Sequence, residues 1–191
     1  MGQDWSVPAC AGLAREFMSA MGRRWAHVQG VGTTAQELAS TTPRVPELVV
    51  AAAWLHDIGY SPRVRSSGFH PIDGAEFLAV RDAPSELVSL VAYHSGAEFE
   101  AEERGLSDAL ASYDRPNQMN LDLLTFFDMA VSPAGERILV QDRIDGILQR
   151  YEPDHPVHRA VVCSRDSLIA SCVCAARKLD LLADEWVFAS V

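Results

Sequence analysis

Lysine is almost missing from this chain: Lys178 is the single example among 191 residues. Arginine raises the basic count only to 16, against 26 Asp and Glu, for a formal net charge of −10. No basic stripe exists to track a nucleic-acid backbone, so nucleic acid is excluded as a partner. The same field repels small anions at a distance. A small anionic substrate would need local positive charge, from a metal or from arginine.

Long apolar runs are also scarce. The longest, Leu48 to Leu55, falls far short of the roughly 20 residues that span a bilayer. The first residues, Met1-Gly2-Gln3-Asp4-Trp5, lack the basic start and apolar centre of a secretory signal. Four cysteines (Cys10, Cys163, Cys172 and Cys174) form no CxxC pair and read as reduced and mostly packed in helices. The expectation is a cytoplasmic protein without a membrane partner; oligomeric state is left open. Repeats, low-complexity segments and hairpin-forming strand pairs are absent too.

What the chain does have is helical periodicity almost throughout, which predicts an all-α fold. The length suits one domain over 1–191. Its core is expected at about 23–150, with an N-terminal helix at 8–21 and a C-terminal helix at 157–182. Between these, helices are expected at about 23–39, over the Leu48–Leu55 run, from His70 to about Val80, from Asp82 or Ala83 to His94, from Leu121 to Val131 with Asn120 as cap, and from Val140 to Tyr151. Gly30 and Gly32 weaken the second helix unless they permit close packing. The acidic stretch from Glu98 to Asn120 reads as a short helix between mobile loops, able to act as a lid.

The apolar run ends in His56-Asp57-Ile58-Gly59, with Pro46 suited to the first turn and Gly59 to a left-handed C-terminal position. Asp57 is the difficulty. A carboxylate closing so apolar a helix loses solvation, and no lysine or arginine lies within five residues. A divalent cation shared with His56 would resolve it. Other apolar stripes carry one inward polar group each: His27 begins one, His94 ends another and Asp128 sits on a third, while Asp122 is expected to face water. His70 opens a helix beside the same loop. Burying these groups together without a cation costs several kcal/mol apiece. Imidazole and carboxylate without thiolate suit iron, manganese, zinc, nickel or cobalt. His155 and His158 read as surface residues at a helix start, and the tryptophans as packing.

The order His27, His56-Asp57, Asp128 resembles the HD superfamily of metal-dependent phosphohydrolases. So do the flanking segments Arg24-Trp25-Ala26-His27-Val28, Ala53-Trp54-Leu55-His56-Asp57-Ile58-Gly59 and His70-Pro71-Ile72-Asp73-Gly74-Ala75. The resemblance covers about Arg23 to Arg150. It implies that His27, His56, Asp57 and Asp128 hold one metal. It implies also that His70 and His94 serve a second, as in the diadenosine tetraphosphate hydrolases and the HD-GYP phosphodiesterases, with Asp57 bridging. The chain departs from the HD-GYP pattern: Tyr60 stands where a lysine commonly follows the glycine, and the GYP signature is missing.

The implied activity is hydrolysis of a small, nucleotide-like phosphate ester or anhydride by a metal-activated water, with one or two divalent transition metals as cofactor. Asp57 and His56 are the catalytic candidates. Arg24, Arg63 and Arg65 are the candidates for binding substrate phosphate, since a guanidinium meets phosphate as a planar fork. The same ligand set admits two other readings, a di-iron oxygenase of the HD-related type and a metal-stabilised ligand-binding or regulatory domain without turnover.

Overall fold

The computed structural model describes residues 3–188. Residues 1–2, at the head of the segment read for a secretory signal, and 189–191, the end of the single-domain expectation, lie outside the described residues. The described chain is all-helical, and its β-pairing is an isolated bridge between Val131 and Arg137. The helices are α1 (Val7–Met18), α2 (Arg23–Thr41), α3 (Glu47–Leu55), α4 (His70–Ala79), α5 (Ser85–Tyr93), α6 (Ala97–Glu103), α7 (Ser107–Leu110), α8 (Gln118–Met129), α9 (Val140–Arg150), α10 (Pro156–Lys178) and α11 (Ala183–Trp186). Short 3-10 turns follow α3 at Ile58–Tyr60 and α5 at His94–Gly96.

Helix α3 is the central post. It has no polar face, and Val49 through Leu55 are buried on every side. Such a helix is stable only when surrounded, and α1, α2, α5 and α8 surround it. Each large apolar side chain so buried contributes about 1.5–3 kcal/mol. Helix α2 comes close because Gly32 lies under the Trp54 indole, where a Cβ would stand 2.4 Å from ring carbons. The glycine thus trades helix propensity for a close helix–helix approach. Helix α8 is buried continuously from Asp122 to Met129. It packs on α3 and on α10, the long helix that also lies across α6 and α9. One hydrophobic core runs from Cys10 to Val187.

Four local expectations are corrected. Gly59 is not a left-handed cap. It lies within the 3-10 turn, and its missing Cβ matters because one there would stand 2.0 Å from the His70 carbonyl oxygen. Asn117 rather than Asn120 caps α8; its side chain accepts from the Asn120 amide. The Glu98–Asn120 stretch carries more helix than the single short one expected. It holds most of α6, all of α7 and the start of α8, and is tied down by the Arg115–Glu98 and Arg104–Glu100 ion pairs and by the Tyr93 hydroxyl on the Leu110 carbonyl. Asp122 faces inward, as described below.

Candidate metal centre

Five helices and two turns deliver the ligand-type residues to one place. His27 lies on α2, one turn after Arg24. His56 caps the C-terminus of α3, and Asp57 follows it outside helical geometry, at φ −99° and ψ 7°. His70 begins α4, His94 opens the turn after α5, and Asp128 is near the end of α8. All are buried except His70, which keeps an edge exposed.

The backbone orients the imidazoles. His27 Nδ1 lies 3.1 Å from the Ser132 carbonyl, His56 Nδ1 2.9 Å from Ala53, and His94 Nδ1 2.7 Å from Val91. In the neutral ring, an Nδ1–H donated to a carbonyl leaves the lone pair on Nε2. Three lone pairs therefore face the interior of the cluster. His56 Nε2 is buried and has no hydrogen-bond partner. His27 Nε2 stands 2.9 Å from Asp128 Oδ1, two acceptors that need a proton or a cation between them. His70 and His94 bring their Nε2 atoms within 3.2 Å of each other.

Asp57 divides its oxygens between two sets of imidazoles. Oδ2 lies 3.5 Å from His56 Nε2 and 4.0 Å from His27 Nε2. Oδ1 lies 3.4 Å from His70 Nε2 and 3.9 Å from His94 Nε2. Two groups of metal-type ligands result, His27–His56–Asp57 and Asp57–His70–His94. Asp128 joins the first, with Oδ1 3.9 Å from His56 Nε2. Donors each about 2.1 Å from one ion stand about 3–4 Å apart, so these separations and the orphaned His56 nitrogen fit a divalent metal.

A metal is not the only cation available to the carboxylates, contrary to the reasoning from nearby sequence. Arg24 donates Nη1 to Asp57 Oδ2 at 2.6 Å, and Arg143 holds Nη2 4.0 Å from Asp128 Oδ1. Burial pushes both carboxyls toward protonation, and their partners overcome it. Arg24 chiefly holds Asp57 far below the usual carboxylate range, and the close approach of the His27 ring, with His56 and Arg143 nearby, does the same for Asp128. Burial also pushes His70 and His94 below the usual imidazole range.

Other residues that the sequence reading did not assign complete the surroundings. Ser95, held at φ 49°, donates its hydroxyl to Asp128 Oδ2. The Tyr60 ring stacks on His70 at 4.0 Å and lies under the Arg24 guanidinium. Asp73 is buried and accepts from the Ser66 and Ser67 hydroxyls and the Ser67 and Gly68 amides, which fastens the loop preceding His70. A Ser-Ser-Gly turn a few residues before an aspartate was the readable signal for Asp73. Arg143 had none, being one arginine in a charged helix.

Arg63 and Arg65 do not join the cluster. Arg63 pairs with Glu16 at 3.0 Å and lies over the Phe17 ring. Arg65 is exposed and lines a different cavity with Gly68 and Asp73, which touches the cluster only through His70 and its neighbour Tyr60. The expectation for Asp122 is also corrected: it is buried and accepts from Gln118 Nε2 at 2.8 Å, because α10 covers the face of α8 that was assigned to water. His155 caps α10, and His158 bonds the Tyr151 carbonyl.

A cavity opens over the cluster. Arg24, Asp57, His70, His94, Asp128 and Arg143 line its polar side, and Met129, Ile147, Val161 and Leu168 its apolar side.

A model of the HD domain matches residues 24–129, more than half of the chain, and spans the six clustered residues. The chain belongs to the HD domain family. The HD domain thus supplies α2 through α8, with α9 and α10 added over the cavity. Its buried His/Asp cluster is the one expected of a superfamily of metal-dependent phosphohydrolases. The tRNA (cytidine(56)-2'-O)-methyltransferase of Picrophilus torridus is 37% identical over 78 residues, which are 40% of this chain and 22% of that protein. The chain therefore spans under a quarter of that relative's length. No solved structure gives a significant match. No described helix is long and apolar enough to cross a membrane.

Proposed function

We propose that this HD domain hydrolyses a small, nucleotide-like phosphate ester or anhydride, with one or two divalent transition metals held by His27, His56, Asp57, His70, His94 and Asp128. Asp57 would be the shared ligand, since its two oxygens face the two sets of imidazoles. A bound divalent metal supplies a water acidified to a pKa of about 7 and an electrophile for the phosphoryl oxygen.

The observation carrying this reading is the charge of the buried cluster. Arg24 is hydrogen-bonded to Asp57 at 2.6 Å, and the Arg143 guanidinium stands near Asp128, 4.0 Å away and not bonded to it. Any metal added between the imidazoles leaves the site net positive inside an acidic protein, and an anion completes it. The chain's own groups then have defined tasks. Arg24 and Arg143 border the cavity and orient the anion's oxygens. Ser95 holds Asp128, and Tyr60 holds Arg24 and His70 in place. The apolar wall from α9 and α10 excludes water around the rest of the substrate.

The test is a panel of phosphomonoesters, phosphodiesters and phosphoanhydrides, run with iron, manganese, zinc, nickel and cobalt, with and without oxygen. Phosphate release independent of oxygen is expected. Oxygen consumption with no phosphate from any ester would overturn the proposal, and so would nucleotide binding without turnover under every metal.

A further inference from the structure

Beside the cavity over the cluster lies a second one. Arg23, Arg24, His27, Pro133, Arg143 and Arg150 line it, and no carboxylate does. Its volume of ≈ 210 Å³ is well above the ~10–15 Å³ that admits one water, so a polyatomic ion has room. Arg24, Arg143 and Arg150 line both cavities and form the wall between them. Four of the chain's 16 basic residues thus meet at one spot, in a protein of net charge −10.

Arg143 marks this wall as a binding surface. It is 8% exposed, and its Nε is buried without a hydrogen-bond partner. Asp128, 4.0 Å from Nη2, is too far to accept from it. A guanidinium carries five donors in a fixed fork, and leaving buried donors unmet is costly. Arg24 has Asp57, whereas Arg143 awaits an acceptor. Arg150 and Arg23 reach the same cavity from the end of α9 and the start of α2.

We infer that the arginine-lined cavity binds a second anionic group of the substrate, phosphate or carboxylate, while the reacting phosphoryl group occupies the adjoining cavity over the cluster. The substrate is then a compact bis-anion. The inference rests on the proposed hydrolysis for which group reacts, but anion binding is measurable without turnover.

Three ligands sharing one phosphonate head separate the possibilities: methylphosphonate, phosphonoacetate and methylenediphosphonate. Their dissociation constants are measured by calorimetry on the metal-loaded protein and on Arg150→Gln and Arg23→Gln. Arg63→Gln is the control. At least one bis-anion is expected to bind about 10–100-fold tighter than methylphosphonate, the worth of one or two charge-assisted hydrogen bonds. Whether the carboxylate or the second phosphonate gains more identifies the group. Arg23→Gln, at an exposed position lining the second cavity alone, should erase part of that advantage and leave methylphosphonate binding unchanged, whereas Arg150→Gln, which borders both cavities, should weaken the bis-anion more than methylphosphonate.

An equal preference in every variant would mean that the bis-anions simply chelate the metals, and would overturn the inference. Equal binding of all three ligands would overturn it as well. Phosphate release from simple monoesters together with either outcome would leave the hydrolase reading standing. A retained, arginine-dependent preference with no hydrolysis of any ester would do the reverse.

Discussion

Arg24 and Asp57 stand 33 residues apart in sequence and 2.6 Å apart in space. The contact joins the first turn of α2 to the end of α3 and gives the buried carboxylate a cation before any metal arrives. It predicts a metal-dependent stability effect. Arg24→Gln should destabilise the metal-free protein by roughly 1–3 kcal/mol, reduced from the buried-pair range because Arg24 is partly exposed. With metal bound, Asp57 has another partner and the loss should shrink. Urea unfolding with chelator and with saturating metal measures both; equal losses would mean that Arg24 does not balance Asp57.

Asp57 faces both groups of imidazoles, and Asp128 faces one. Asp57→Asn should therefore reduce bound metal to one per chain or fewer, while Asp128→Asn should weaken the His27–His56 side first. Asp122→Asn should retain metal and cost about 1 kcal/mol through its bond with Gln118. Elemental analysis after reconstitution reads the stoichiometry. Metal loss in Asp122→Asn equal to that in Asp128→Asn would refute the division of roles on α8.

Gly59 is the tightest backbone approach near the site, with the His70 carbonyl where its side chain would begin. Gly59→Ala must push α4 away or fail to fold. The expected result is a loss above ~2 kcal/mol, in the range of overpacked cores, and weaker metal binding on the His70–His94 side than on the other. An unchanged melting temperature and full metal content would show that α4 shifts freely.

Acid should destabilise the metal-free fold in two stages. Folding lowers His70 and His94, so below about pH 6.5 the unfolded chain takes up protons that the native state refuses. Stability falls from there as pH drops. Asp57 and Asp128 are also lowered on folding. Their contribution is complete above the unfolded carboxyl value near 4 and is lost as pH falls toward their native values. Chemical denaturation of chelated protein from pH 8 to 3 should show both declines. A flat profile between pH 7 and 5 would contradict the burial of neutral His70 and His94.

Much of the fold was legible because helix periodicity and breakers are local properties. The uniform run before His56 announced a surrounded helix, while Gly32 left both a weakened helix and a close approach open, and the Trp54 contact decided for the latter. The errors came where the outcome depended on a distant neighbour. Asp122 looked solvent-facing until α10 covered it. Gly59 looked like a cap but is a contact with the His70 carbonyl. Arg63, beside the ligands in sequence, is taken by Glu16 and Phe17.

The sequence alone determined a helical chain with imidazoles and carboxylates at inward positions in an order that resembles HD domains, because residue type and spacing along a helix bias which groups go inward. Only the tertiary structure decided what those groups meet. Asp57 divides between two pairs of imidazoles, His56 keeps a bare nitrogen, and Arg24, Arg143 and Arg150 wall off a second cavity. Charge compensation acts through space across a few ångströms, and no local pattern encodes which distant arginine a buried carboxylate will find.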